Sequence, residues 1–241
     1  MLLPMGASAR QHAAAAAAAA PDPAVISQRA QVLLRDANGD WTKLFAALGS
    51  HYPPPALAFF TRTVPKACGA ATALAGPFYC PDERKVYLDL AFLGQLAPRG
   101  SSTVDDAAIA YVLGHEIGHH VQSLLGTTAL VEQARARSTP AVSARTWMTA
   151  ELQADCYAGI WLGSALKRGV LPAGTNLAAV IAAIAPVSEA ERAQPPEHAQ
   201  MADPLLTYGT AAQRQHWLQQ GIEAGQVNGC DTFGAEAAGK L

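Results

Sequence analysis

The sequence predicts an α+β fold, mostly helical, with a small sheet ahead of its first long helix. Three observations predict it. Apolar residues recur at three- and four-residue steps from about Asp105 to Leu125 and again from about Thr146 to Lys167. Strict alternation is clear at one place, Lys85 to Leu90, early in the chain. And 52 of the 241 residues are alanine, a small side chain that lets helices approach one another closely.

The chain opens with Met1, Leu2 and Leu3, a single Arg10, and an alanine tract from Ala13 to Ala20 that ends at Pro21-Asp22-Pro23. A secretory signal carries its positive charge ahead of a more strongly apolar block. Residues 1–23 therefore read as a low-complexity tail, with a degenerate or truncated export segment as the alternative, and the folded domain is expected over 24–241. Val25 to Leu34 reads as one helix and Trp41, Leu44, Phe45 and Leu48 as a second, stopped by Gly49 and Pro53-Pro54-Pro55. Pro81-Asp82 sets a turn, and the strand after it puts Val86, Leu88 and Leu90 on one face, Tyr87 and Asp89 on the other. Asp105 and Asp106 suit the positive end of the next helix dipole and Gly126 suits its stop. The second long helix closes on Lys167-Arg168-Gly169, a cation pair and a glycine where helix C-termini favour them. Leu177 to Ile184 and Ala211 to Gln220 complete the helices.

Charge argues against nucleic acid as a partner, and hydropathy against a membrane-crossing helix in the longest uncharged stretch. Seventeen Lys+Arg against nineteen Asp+Glu leave a formal charge of -2, with no basic run to displace counterions from a phosphate backbone, so nucleic acid is not expected. The longest uncharged stretch, Gly169 to Ser188, is interrupted by Pro172, Gly174, Asn176 and Pro186. Its apolar part falls short of the ~20 residues a membrane-crossing helix needs.

Cys68, Cys80, Cys156 and Cys230 show none of the short spacings that chelate zinc. Two disulfides are the natural reading, with Cys68–Cys80 and Cys156–Cys230 preferred among three pairings, and they place the chain in an oxidising, extracytoplasmic compartment. Four buried thiols in a cytosolic protein are the alternative.

The chemistry concentrates in His115-Glu116-Ile117-Gly118-His119. A step of four residues turns about 400°, so both imidazoles lie on nearly one helix face, one turn apart, and can meet one ion. Glu116, rotated about 100° from His115, can reach a water at that ion without ligating it. The approach, Ala110 to Gly114, is largely apolar and would bury the imidazoles, where unpaired polar groups are costly. Gly118 removes a side chain in mid-helix at about 1 kcal/mol, as needed where another backbone or a substrate comes close. A catalytic zinc site takes three protein ligands and one open position. Glu151 and Asp155, again at i and i+4, supply the third: Glu151 as ligand and Asp155 as acceptor from the outer nitrogen of a ligand histidine, with His115 the expected donor. The reverse assignment of the two acids stays open. His120 points about 100° from His119 and reads as a polar neighbour. His12, His51, His198 and His216 read as surface residues.

These residues, together with Trp41 to Phe45, Cys68-Gly69, Gly76 to Pro81, Val86 to Leu90, Ala110 to Val112, Gln213-Arg214 with Trp217, and Cys230 to Phe233, resemble the YpfJ-like neutral zinc metallopeptidases of bacteria. The resemblance runs from about Ala24 almost to the C-terminus. It implies a zincin-like fold of the glutamate-ligand kind, with His115, His119 and Glu151 on one Zn2+ and Glu116 as catalytic base. The sequence departs from the family pattern in three places. Tyr208-Gly209 stands where the family has His-Gly; if that histidine steadies the transition-state oxyanion, Tyr208 is the candidate donor in its place, with a packing role as the alternative. Pro186 to Glu189 and Gln194 to Glu197 replace an acidic stretch. The membrane-anchoring helix common in the family is replaced by the alanine tract, which keeps membrane association open.

The expectation is a zinc peptidase, an endopeptidase acting on a peptide or protein substrate. The peptide is expected to pair with the edge of the strand Val86 to Leu90, the alternative being that this strand is simply a sheet member covered by a helix. A proteolytically silent zinc protein that binds a peptide or protein partner is the competing reading, and a hydrolase of cell-envelope amides a third.

Overall fold

The computed structural model describes residues 20–64, 67–69, 76–98, 105–193 and 209–241, with backbone alone for 187–193. Helix α1 runs Pro23–Ala47 without a break where the sequence suggests two helices. The Asp22 side chain caps its first turn, accepting from the Ala24 N–H at 2.8 Å, and Pro23 sits at the first helical position, where its missing N–H costs nothing. Its buried face, Ile26, Ala30, Leu33, Leu34, Ala37, Trp41 and Phe45, keeps the helical step straight through the polar segment Asp36 to Asp40. That segment is held from elsewhere. Arg168, at the end of a helix more than 120 residues away, bridges Asp36 and Asp40, and Trp161 Nε1 donates to Asp36 at 2.9 Å.

Three strands follow: β1 Ala56–Phe60, β2 Phe78–Cys80 and β3 Lys85–Asp89. The order is β1-β3-β2, with β1 parallel and β2 antiparallel to β3. Alternation assigned the faces of β3: Val86 and Leu88 enter the main core, and Tyr87 joins a smaller cluster with Ala67 and Cys80. Leu90 is not in the strand; it opens the short helix α2, Leu90–Gln95, whose cap is the Asp89 side chain, accepting from the Ala91 N–H at 2.9 Å. The sequence left β3 as either an edge open to a peptide or an enclosed sheet member. It is the central strand, paired along its whole length with β1 and over Lys85 to Tyr87 with β2, so it is flanked on both sides rather than open as an edge.

Helix α3, Asp106–Leu124, is capped by Asp105, and Gly126 at φ 81° both ends it and caps α4, Thr127–Ala136. Helix α5, Pro140–Lys167, begins at a Thr139 cap and is longer than its apolar periodicity suggested. Leu177–Ala193 forms α6, Ala211–Ala224 α7 and Thr232–Ala237 α8. Among the described residues α5 is the central helix: α3, α4, α7 and α8 all pack on it. Glycines bring α7 onto it, because a Cβ at Gly159 would collide with the Leu218 carbonyl and one at Gly221 with the Cys156 carbonyl. One core joins α1, β3, α3, α5, α6 and α7 around Trp41, Leu88, Tyr111, Ile117, Leu152, Trp161 and Ile181. Truncating a fully buried Trp161 to alanine would cost about 3–5 kcal/mol. Two disulfides, Cys68–Cys80 and Cys156–Cys230, have the pairing favoured by the spacing. No helix among the described residues is long and apolar enough to cross a membrane.

Candidate metal centre

Helix α3 presents His115, Glu116 and His119, and α5 presents Glu151 and Asp155, where the two helices pack face to face. One ligand atom each from His115, His119 and Glu151 can be chosen so that all three lie within 4.8 Å of one another. His115 Nε2 is 3.1 Å from Glu151 Oε2, and His119 Nε2 is 3.6 Å from Glu151 Oε1. A tetrahedral zinc with bonds near 2.1 Å separates its ligand atoms by about 3.4 Å. The two imidazole–carboxylate separations bracket that value, and the N/O donor set suits zinc, so the residues fit the ion.

The outer nitrogens are held as well. His115 Nδ1 meets Asp155 Oδ1 at 2.9 Å, and His119 Nδ1 meets Gln122 Oε1 at 2.9 Å. Asp155 is fully buried and accepts in addition from Tyr111 Oη at 2.6 Å, Arg214 Nε at 2.8 Å and Arg214 Nη2 at 3.1 Å. Glu151 is the carboxylate between the imidazoles and Asp155 the one behind His115, which is the arrangement of the first of the two assignments left open by the sequence.

Electrostatics follow from this packing. Burial would raise Glu151, but the neighbouring His119 and His115 outweigh it and bring the carboxyl down to about 2. Burial opposes the charged form of His115, yet Asp155 and Glu151 overcome it and lift the imidazole to about 10. His119 is raised against its own burial by Glu151. Glu116 goes the other way: burial raises it, against the lowering influence of the two histidines and of a hydrogen bond from the Tyr79 backbone. A carboxyl lifted in this way is a stronger base than a solvated one.

Beside the site lies a cleft of about 340 Å³. Phe78, Tyr79 and the flanking prolines line it together with Val131, Trp147 and Ala150, and Glu116, His119 and Glu151 reach it from α3 and α5. The walls are largely apolar. Trp147 Nε1 is buried there without a hydrogen-bond partner among the described residues, and the Arg135 guanidinium lies 4.8 Å from the Trp147 ring centroid.

The family described as "Putative neutral zinc metallopeptidase" matches residues 3–233. The chain belongs to this family. Its relatives include the uncharacterized protein YpfJ of Escherichia coli, 36% identical over 203 residues that span 84% of this chain and 70% of that protein. The uncharacterized protein Rv2575 of Mycobacterium tuberculosis is 36% identical over 197 residues, 78% of this chain and 65% of that protein. No solved structure gives a significant match.

His120 is buried outside the metal cluster, bonded through Nδ1 to Tyr79 Oη and through Nε2 to the Pro53 carbonyl, each at 2.9 Å. His51 and His216 are exposed. Tyr208, His12 and His198 lie outside the described residues. Sequence reasoning gave no role to Tyr111, Gln122, Gln153 or Arg214. Two of them carried a local signal: Tyr111 stands four residues before His115 and Gln122 three after His119, both on the ligand face.

Proposed function

We propose that this protein is a zinc-dependent endopeptidase with His115, His119 and Glu151 as ligands of one Zn2+ and Glu116 as general base. The observation that carries the proposal is the cluster of three ligand atoms, with Glu116, His119 and Glu151 lining a cleft of about 340 Å³. Zinc, when bound, supplies a Lewis acid that polarises the scissile carbonyl and brings the pKa of water towards about 7. The Glu116 carboxylate takes the proton of the attacking water and delivers it to the leaving amine. Asp155 and Gln122 aim the imidazoles from behind, and Arg214 and Tyr111 keep Asp155 ionised and fixed.

With β3 central, strand addition passes to β2, Phe78–Cys80, which is the edge strand among the described residues and borders the cleft. An extended peptide there would set a large apolar side chain in the cleft that Phe78 and Trp147 line. Tyr208 is assigned the oxyanion donor role, to be checked by Tyr208→Phe, which should lower kcat with KM little changed. The peptidase domain is assigned to residues 24–241, and two disulfides support an extracytoplasmic location.

The test is Glu116→Gln. It should keep one zinc per chain and lose cleavage of casein or a peptide library by at least about a hundredfold. Retained cleavage would remove Glu116 from the mechanism. Stoichiometric zinc with no chelator-sensitive cleavage in the unaltered protein would favour a zinc-holding protein that binds a peptide or protein partner.

A further inference from the structure

We infer that Gln122 and Gln153 are positioning residues that carry the orientation of two backbone carbonyls to His119, leaving its Nε2 lone pair for the metal. The inference deepens the proposed function, since it rests on His119 being a ligand. The direction of each hydrogen bond is fixed at the ends, because a carbonyl can only accept. Gln122 Nε2 lies 2.7 Å from the Ala150 carbonyl, so the atom there must be the NH2 group and Oε1 must face the other way. At the far end Gln153 Nε2 lies 3.0 Å from the Cys230 carbonyl, so its own Oε1 is turned towards Gln122. The two amides then agree: the Gln122 NH2 group also donates to Gln153 Oε1 at 3.1 Å.

What remains for His119 follows. Gln122 Oε1, 2.9 Å from His119 Nδ1, is an acceptor with no proton to give, so Nδ1 must carry the hydrogen. A neutral imidazole with hydrogen on Nδ1 has its lone pair on Nε2, the atom facing Glu151. Asp155 does the same for His115 with a charge, and the amide relay does it for His119 without one, so the site gains no second buried anion behind its ligands. Both glutamines are buried, which shields the relay from competing water. Its far anchor is also covalently fixed. Cys230 is disulfide-bonded to Cys156, which follows Asp155 on α5, so the Cys230 carbonyl and the helix carrying Glu151 are tied together.

The experiment uses the full chain and zinc itself. Apparent zinc affinity is measured by chelator competition for the unaltered protein, Gln122→Met, Gln153→Met and His119→Ala, with 15N spectra of the histidine rings in the zinc-loaded unaltered protein. Methionine keeps the length of glutamine and removes both donor and acceptor. The expected result is a loss of about 10–100-fold in zinc affinity for Gln122→Met, a smaller loss for Gln153→Met, and a protonated, slowly exchanging Nδ1 on His119. Affinities within threefold of the unaltered protein in both glutamine variants, while His119→Ala loses the metal, would overturn the relay alone. Zinc retained in His119→Ala would instead overturn the site assignment. If Gln122→Met does not fold, the ring spectrum decides: Nδ1 ligating and Nε2 protonated contradicts the relay.

Discussion

Gly118 of α3 lies against the backbone of Ala154 in α5: a Cβ at Gly118 would stand 2.6 Å from the Ala154 carbonyl oxygen and 2.8 Å from its Cα. No side chain can yield there, so the helices meet through this glycine at the level of the metal cluster. Gly118→Ala should therefore push α3 from α5, costing about 1–3 kcal/mol of stability through overpacking and weakening zinc binding about tenfold or more. Gly39, inside α1, is the control, since a Cβ there meets nothing within 4 Å. Gly39→Ala should stabilise by about 0.5–1 kcal/mol through helix propensity alone. Urea unfolding measures both, and a Gly118→Ala protein as stable as Gly39→Ala would contradict the close contact.

The Asp155 carboxylate is fully buried and depends on its donors. Arg214→Met should destabilise the protein by about 3–5 kcal/mol, because it strands a charge in the interior. Tyr111→Phe removes one hydrogen bond to a charged group and should cost about 1.5–3 kcal/mol. The two changes share Asp155, so their effects should not add, and a double-mutant cycle by denaturant unfolding reads the coupling. Strict additivity would mean that the two donors act independently.

His120 gives a pH signature. Burial holds this imidazole down at about 4, helped by Arg84 and opposed by its hydrogen bond to Pro53. The unfolded chain binds the proton near 6.5, so between these values the unfolded state takes up more protons and stability falls as pH falls. Relative to His120→Gln, the unaltered protein should lose about 3 kcal/mol between pH 7 and pH 4, with both measured free of metal. Parallel pH courses for the two proteins would refute the assignment.

The two disulfides close loops of different length, with sequence separations of 12 and 74 residues. Loop-closure entropy gives about 3 kcal/mol for the short one and about 4.5 kcal/mol for the long one. Replacing Cys156 and Cys230 by serine should lower the thermal midpoint more than replacing Cys68 and Cys80. Since only the long bridge anchors the relay, only its loss should also weaken zinc binding. Equal zinc affinity in the two double variants would separate the bridge from the metal centre.

Much of the site was legible because it is local. His115, Glu116 and His119 need only helical periodicity to share a face, and so do Glu151 and Asp155. Less of the architecture was legible. Helix α4 buries little but Val131, so its amphipathic signal is weak. Strand β2 has three residues, too few for alternation to register. The polar segment Asp36 to Asp40 looked like a gap between helices because the groups that satisfy it, Trp161 and Arg168, come from α5.

By itself the sequence picked out the candidates His115, Glu116 and His119 and the pair Glu151 and Asp155, along with the long helices, because residue type and helical spacing are enough for these, and it favoured one pairing of the four cysteines. Tertiary structure decided which carboxylate stands between the imidazoles, that β3 is enclosed, and that Arg214, Gln122 and Gln153 serve the site. The reason is range. A helical repeat is a property of neighbours, whereas a hydrogen bond from Arg214 to Asp155 spans 59 residues and exists only once α7 has docked on α5.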